Sequence, residues 1–173
     1  MTLAYIGVGS NINPEKNVKE SLRLLALQVQ VLRISTVYHT APEQRPDQPW
    51  YYNCVAEIET ELRPEELKYC LLRRIEKRLG RVRTSDKFAS RPIDLDIVLY
   101  GDPSPTTRGI SRLDRDTARR PFIAAALLEL CPDLKFPNDE FLMEESAADL
   151  CPENSSVLEN YTRSLRQEIT CAS

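Results

Sequence analysis

Residues 91–100 read RPIDLDIVLY, and this stretch constrains the fold more than any other in the chain. Its aliphatic and β-branched composition predicts a strand, in which residues two apart share a face. Asp94 and Asp96 therefore project together, with Cα atoms roughly 6–7 Å apart, while Ile93, Leu95 and Ile97 anchor the opposite face in the core. Two carboxylates so close repel, and burying either alone is costly. The acidic face must meet a cation or remain in water. Oxygen-only ligands from two carboxylates suit magnesium, which fills its other positions with water and phosphate oxygens. An acidic, solvent-facing strand surface is the alternative at this point.

The rest of the chain supplies the partners of that strand. Residues 3–8 form a short apolar strand that ends in the turn signal Gly9-Ser10-Asn11. Asn13-Pro14-Glu15 reads as an N-cap, a first-turn proline and an early acid, opening an amphipathic helix over 14–27. A β-branched strand is expected over 31–38 and a proline-rich loop over 40–50 (TAPEQRPDQPW). Residues 52–60 alternate, with Cys54, Ala56 and Ile58 on one face and Asn53 and Glu57 on the other. Pro64-Glu65-Glu66 opens a second helix whose apolar stripe is Leu67, Leu71, Ile75 and Leu79, and Gly80 closes it. After the basic loop 81–91 and the strand 92–100, a last helix falls at roughly 119–130. The order β-α-β-β-α-β predicts an α+β fold of the split βαβ, ferredoxin-like kind, with an antiparallel sheet. Residues 1–136 form this domain. The extension 137–173 carries eight acids against two arginines and is expected to pack on the same domain as a surface helix or two, without chemistry of its own.

Charge distribution strengthens the metal reading. Between Arg73 and Arg91 stand eight lysines and arginines and only two acids, in a chain whose net charge is −3. Arginines bind phosphate oxygens in bidentate fashion, and magnesium bridges phosphates to carboxylates. Arg73, Arg74, Lys77 and Arg78 read as a solvated helix face, whereas Arg81, Arg83, Lys87 and Arg91 lie in the loop beside the acids and suit a polyphosphate. Tyr51 and Asn53 share a face of another strand, a ring and an amide able to stack on and read a flat heterocycle. No glycine-rich GxxxxGK[ST] loop is present. His39, the sole histidine, is expected to pack at a strand end rather than join a triad. The five cysteines are widely spaced and odd in number, which predicts reduced thiols in a cytoplasmic protein, with Cys54 and Cys70 at core positions. The longest uncharged apolar run, 121–128, is too short for a membrane span, and the negative net charge argues against general nucleic-acid or membrane-surface binding.

The segments YIGVGSN, DQPWYYNCV, GRVR and RPIDLDIVLYG together resemble the 6-hydroxymethyl-7,8-dihydropterin pyrophosphokinases of folate biosynthesis, over about residues 2–136. The resemblance implies transfer of the terminal pyrophosphate of ATP to the pterin hydroxymethyl group, with release of AMP. It implies that Asp94 and Asp96 bind two magnesium ions and that Arg81, Arg83, Lys87, Arg91 and Arg120 hold phosphates. Arg81, Arg91, Asp94 and Asp96 would be the catalytic set. Glu76, Phe88, Ile97 and Ser111 would complete the ATP site, and Thr40, Ala41, Tyr51, Asn53, Asp94 and Phe122 the pterin site. Loops 41–50 and 82–91 would close as lids. A monomer acting on small molecules is expected.

Three departures from the family's pattern stand out. Leu113-Asp114 replaces a Pro-His pair that meets ATP, Phe88 replaces a lid tryptophan, and Ala41 and Glu43 stand where proline and leucine are common. Other readings are a diverged relative with another alcohol acceptor, a ferredoxin-like RNA-binding module, and a metal-dependent phosphohydrolase, which would need further ligands.

Overall fold

The computed structural model describes residues 1–86, 88–101, 112–132, 134, 143–151, 153 and 155–170. The elements run β1 (Thr2–Ser10), α1 (Pro14–Ala26), β2 (Gln30–Ile34), β3 (Tyr38–Thr40), β4 (Tyr51–Thr60), α2 (Pro64–Glu66), a π-helical turn (Leu67–Leu72), α3 (Arg73–Arg78), β5 (Asp94–Tyr100), β6 (Arg112–Leu113), α4 (Arg115–Ala118), α5 (Pro121–Leu130), α6 (Met143–Ala148), β7 (Ser155–Val157) and α7 (Glu159–Thr170). One seven-stranded sheet follows the order β6-β5-β1-β4-β3-β7, and β2 pairs with the other end of β4. Its centre, β5-β1-β4-β2, is antiparallel throughout and has the strand order of the expected ferredoxin-like arrangement.

Alternation sorts the side chains onto two faces. Ala4, Ile6 and Val8 of β1, Cys54, Ala56 and Ile58 of β4 and Leu95 of β5 meet α1, the helix from Pro64 and Leu165 and Ile169 of α7 in one core. Tyr5, Val55, Val98 and Leu99 meet Ile123, Ala126, Leu127 and Leu130 of α5 in another, on the opposite face. That second face also carries Gly7, Gly9, Tyr51, Asn53, Asp94 and Asp96. Where β1 offers Tyr5 the sheet is roofed by α5, and where it offers glycines a hollow remains.

Local chemistry accounts for the differences from expectation. The strand over 31–38 is interrupted after Ile34, because Ser35 Oγ accepts the Val55 amide in place of a backbone carbonyl while Ser35 N still donates to Val55 O. The helix expected over 119–130 begins at Pro121, because Arg120, ahead of it, is extended (φ −67°, ψ 127°), as the proline ring demands of its predecessor; the short α4 before it was not expected. Asn13 stands at the start of α1 in the left-handed region (φ 44°) and makes no side-chain cap bond. Cys70 is exposed rather than in the core, because the π-helical turn buries Leu67, Leu71 and Leu72 instead.

The C-terminal extension contributes a strand that was not anticipated. β7 pairs with β3 from Tyr38↔Val157 to Thr40↔Ser155. α7 then ties itself to the sheet edge: Thr162 Oγ1 accepts the Val37 amide at 2.9 Å, and Arg166 Nε donates to Ile34 O at 2.8 Å.

Candidate active site

The hollow over Gly7 and Gly9 is a cleft of about 290 Å³, the lower end of the range for ligand pockets. Thr40, Ala41, Tyr51, Asn53, Phe88, Arg91, Asp94, Asp96, Arg120 and Phe122, all named from the sequence, line it together. A Cβ on Gly9 would lie 2.7 Å from Asn53 Oδ1, and one on Gly7 would lie 3.0 Å from Val98 Cγ2. The bare backbone of β1 is what lets the Asn53 amide lie against the floor. Asn53 Nδ2 donates to Thr40 Oγ1 at 2.8 Å, leaving the carboxamide oxygen on the β1 side. Burial pushes the Tyr51 phenol up, with Arg91 opposing the shift, so this wall is neutral.

Asp94 and Asp96 stand at the rim, as the spacing predicted. Arg81 forks between Asp94 and the buried Glu76, and Arg91 Nη1 donates to Asp94 Oδ2 at 2.7 Å. Burial raises the Asp94 pKa, but the two guanidinium groups outweigh it and hold the carboxyl below its usual range. Glu76 is 2% exposed. It also accepts from Arg83 Nη2 at 2.8 Å and from the Leu95 amide at 3.0 Å. Glu76 and Arg81 thus form a bracket behind the rim rather than part of the cleft wall. Ile97 is partly buried against the helix-side core. Lys87 and Ser111 lie outside the described residues.

Two groups with no role foreseen, Asn11 and Lys68, belong to this site. Asn11, 1% exposed, accepts the Arg91 amide at 2.8 Å and donates to Ser90 Oγ at 3.1 Å and Pro49 O at 3.3 Å. It therefore holds loops 41–50 and 82–91 at once. Those loops also meet directly, through Arg45–Asp86 at 2.9 Å and Gln48 Nε2–Phe88 O at 2.8 Å. The signal for Asn11 was present in the turn motif Gly9-Ser10-Asn11. Lys68 Nζ lies 3.2 Å from Asp96 Oδ1. Asp114, where the sequence departs from its likeness, is exposed and accepts the Thr117 amide at 3.2 Å, so its carboxylate caps α4. His39 packs between Trp50 and Tyr52, at 4.9 and 5.3 Å between ring centroids. Burial depresses its pKa, and it stays neutral.

The rim suits a hard cation. Both acids offer only oxygen, and among the described residues no three histidine, cysteine, aspartate or glutamate side chains gather to complete a cage. A metal held here would take its other ligands from water and phosphate. Such a rim is the kind that enzymes transferring phosphoryl-type groups from a nucleotide present to a metal-bound phosphate.

Comparison with known proteins narrows the class. The model of the 7,8-dihydro-6-hydroxymethylpterin-pyrophosphokinase family matches residues 5–132, and the chain belongs to that family of ATP-dependent diphosphotransferases. A 2-amino-4-hydroxy-6-hydroxymethyldihydropteridine pyrophosphokinase of Haemophilus influenzae is 36% identical over 147 residues, 83% of this chain and 91% of the relative. One from Methylorubrum extorquens is 33% identical over 156 residues, 88% and 96% of the two chains. A folate synthesis bifunctional protein of Arabidopsis thaliana is 34% identical over 139 residues, 79% of this chain but 28% of the relative. Among solved structures, a Plasmodium falciparum HPPK-DHPS superposes with a TM-score of 0.60 at 11% identity, covering 98% of this chain and 46% of the other. The fold is shared, and this chain spans less than half of that structure's chain.

Proposed function

We propose that the chain carries out its family's reaction at the cleft just described, moving the terminal pyrophosphate of ATP onto the hydroxymethyl oxygen of 6-hydroxymethyl-7,8-dihydropterin and releasing AMP. The observation that carries this reading is the junction of a neutral, heterocycle-sized hollow with an acidic, arginine-flanked rim. The hollow fits a flat pterin: Tyr51 and Phe122 supply rings, Thr40 and Asn53 supply hydrogen-bonding groups, and Ala41 leaves room. The attacking hydroxyl would then face Asp94 and Asp96, with ATP lying from the rim towards Arg83, Phe88 and Arg120.

Magnesium fits Asp94 and Asp96, and two ions bound there would neutralise charge on the triphosphate. The chain's own groups do the positioning. Arg91 and Arg120 are on the cleft wall, where they can hold phosphate oxygens. Arg81, gripped by Glu76, fixes Asp94 and supplies positive charge from below. The bond that forms joins the pterin oxygen to the β-phosphorus, and the bond that breaks joins that phosphorus to the bridging oxygen of AMP. Such transfer needs alignment and charge stabilisation rather than a protein nucleophile. Loops 41–50 and 82–91, latched through Asn11, exclude water that would hydrolyse ATP. Lys87 and Ser111 are proposed for the ATP site from the family likeness alone.

A hydrolase would need ligands that the described residues do not gather, and an acidic rim opposes an RNA backbone. No helix among the described residues is long and apolar enough to cross a membrane. The test is AMP formation from ATP, followed with and without 6-hydroxymethyl-7,8-dihydropterin. Release that depends on the pterin is expected. Equal release without it, or only ADP and phosphate, would overturn the reading.

A further inference from the structure

The helix that packs on β5 is not a regular α-helix. Between α2 and α3 it opens into a π-helical turn over Leu67–Leu72, which fits one more residue into a turn than an α-helix does. The consequence can be worked out from the pitch. Lys68 and Glu76 are eight apart, and at 100° per residue an α-helix would leave them roughly 80° out of line. One extra residue absorbed between them reduces the offset to about 20°. Both side chains then face the same strand. Glu76 Oε1 accepts the Leu95 amide at 3.0 Å, and Lys68 Nζ reaches Asp96 Oδ1 at 3.2 Å. Tyr69 and Arg73 are turned away and stack on each other, with the guanidinium 4.3 Å from the ring centroid.

Asp96 is the more open of the two rim acids, with its side chain 40% exposed against 23% for Asp94. Asp94 is held by Arg81 and Arg91 together. A cation arriving at the pair therefore meets its least encumbered oxygens on Asp96, and Lys68 stands there.

We propose that Lys68, brought onto β5 by the π-helical turn, is a positioning residue that occupies Asp96 as a resident counter-ion and is displaced when a divalent metal binds. The ammonium orients Asp96 and relieves its repulsion with Asp94 while the metal is absent. It also makes a divalent metal compete for the site. This deepens the metal reading of Asp94 and Asp96 and rests on it.

Binding of Mn2+ to the full chain without nucleotide, read from the electron paramagnetic resonance of the free ion, tests the proposal. Lys68→Met should tighten Mn2+ about two- to fivefold, the range for losing a half-exposed ion pair. Lys68→Arg should bind as the wild type does. Lys77→Met removes an equal charge from the exposed side of the same helix and should change nothing. No gain in Lys68→Met, whether both proteins bind or neither does, overturns the proposal, as does an equal gain in Lys77→Met. Mn2+ binding that survives Asp96→Asn would bring down the metal site itself and the counter-ion with it, so the two failures are separable.

Discussion

Asp94 shows how one side chain is set by opposing terms of different size. Its burial alone would favour the neutral acid, yet Arg81 and Arg91 reverse that and depress its pKa. The sign of the linkage follows. A folded-state pKa below the unfolded value of about 3.9 stabilises the fold above that pH, and the contribution fades as pH falls through the lower, folded value. Asp94→Asn should therefore cost stability fully at pH 7 and at pH 5, and progressively less towards pH 3, as measured by urea unfolding. A cost that stayed constant over this range would mean the carboxylate is not held by the two arginines. The acid pair was legible in the sequence because a period of two fixes its face. What the floor does was not, since a glycine in an apolar strand signals only a possible close approach. The 2.7 Å gap between a Gly9 Cβ and Asn53 Oδ1 arises only once β1 and β4 are in register.

At the scale of elements, loops and helix irregularities complete the site. The prolines of 40–50 and the polarity of 81–91 mark them as loops, but neither feature says that they touch. Asn11 decides that, because its carboxamide and backbone serve both loops from the end of β1. Asn11→Ala removes those bonds from a buried position, where each orphaned partner costs about 1–3 kcal/mol. Amide hydrogen exchange should then quicken in both 41–50 and 82–91, while β1 and β4 keep their protection. Acceleration in one loop only would show that the loops are held independently. The π-helical turn was not legible in the sequence. The stripe Leu67, Leu71, Ile75, Leu79 steps by four, a spacing that an ordinary α-helix also keeps on one face, so it is at most compatible with a wider turn and does not reveal one. Lys68 was missed because a helix of ordinary pitch does not bring it over β5.

Across the whole molecule, the sheet divides its labour between two faces. The helix-side face is closed by α1, by α7 and by the helix from Pro64, while α5 covers only the Tyr5 half of the other and leaves the cleft open over the glycine half. The ferredoxin-like centre could be read from element order, because hydrophobic period and turn chemistry agreed over each segment. The strand β7 could not, since three residues, Ser155-Ser156-Val157, carry no pattern until they meet the edge of β3. Leu165 of α7 is 1% exposed within the main core. Leu165→Ala should cost about 2–5 kcal/mol and shift one cooperative urea transition as a whole. A separate early transition, with the main one unmoved, would make α7 an appendage rather than a wall of the fold.

All of these features converge on the rim, where Asp96 stands on a strand whose other face remains packed. On the proposed function, the Asp94–Asp96 pair, not the surrounding arginines alone, brings about pyrophosphate transfer. The turnover of Asp96→Ala at saturating magnesium, ATP and pterin tests it, with circular dichroism and urea unfolding to confirm an intact fold. Loss of a carboxylate that holds the charge-neutralising metal at the transferring group should lower kcat by about a thousandfold, roughly 4 kcal/mol of transition-state stabilisation. Near-normal turnover by a folded Asp96→Ala would mean that Asp96 holds no metal needed for the transfer.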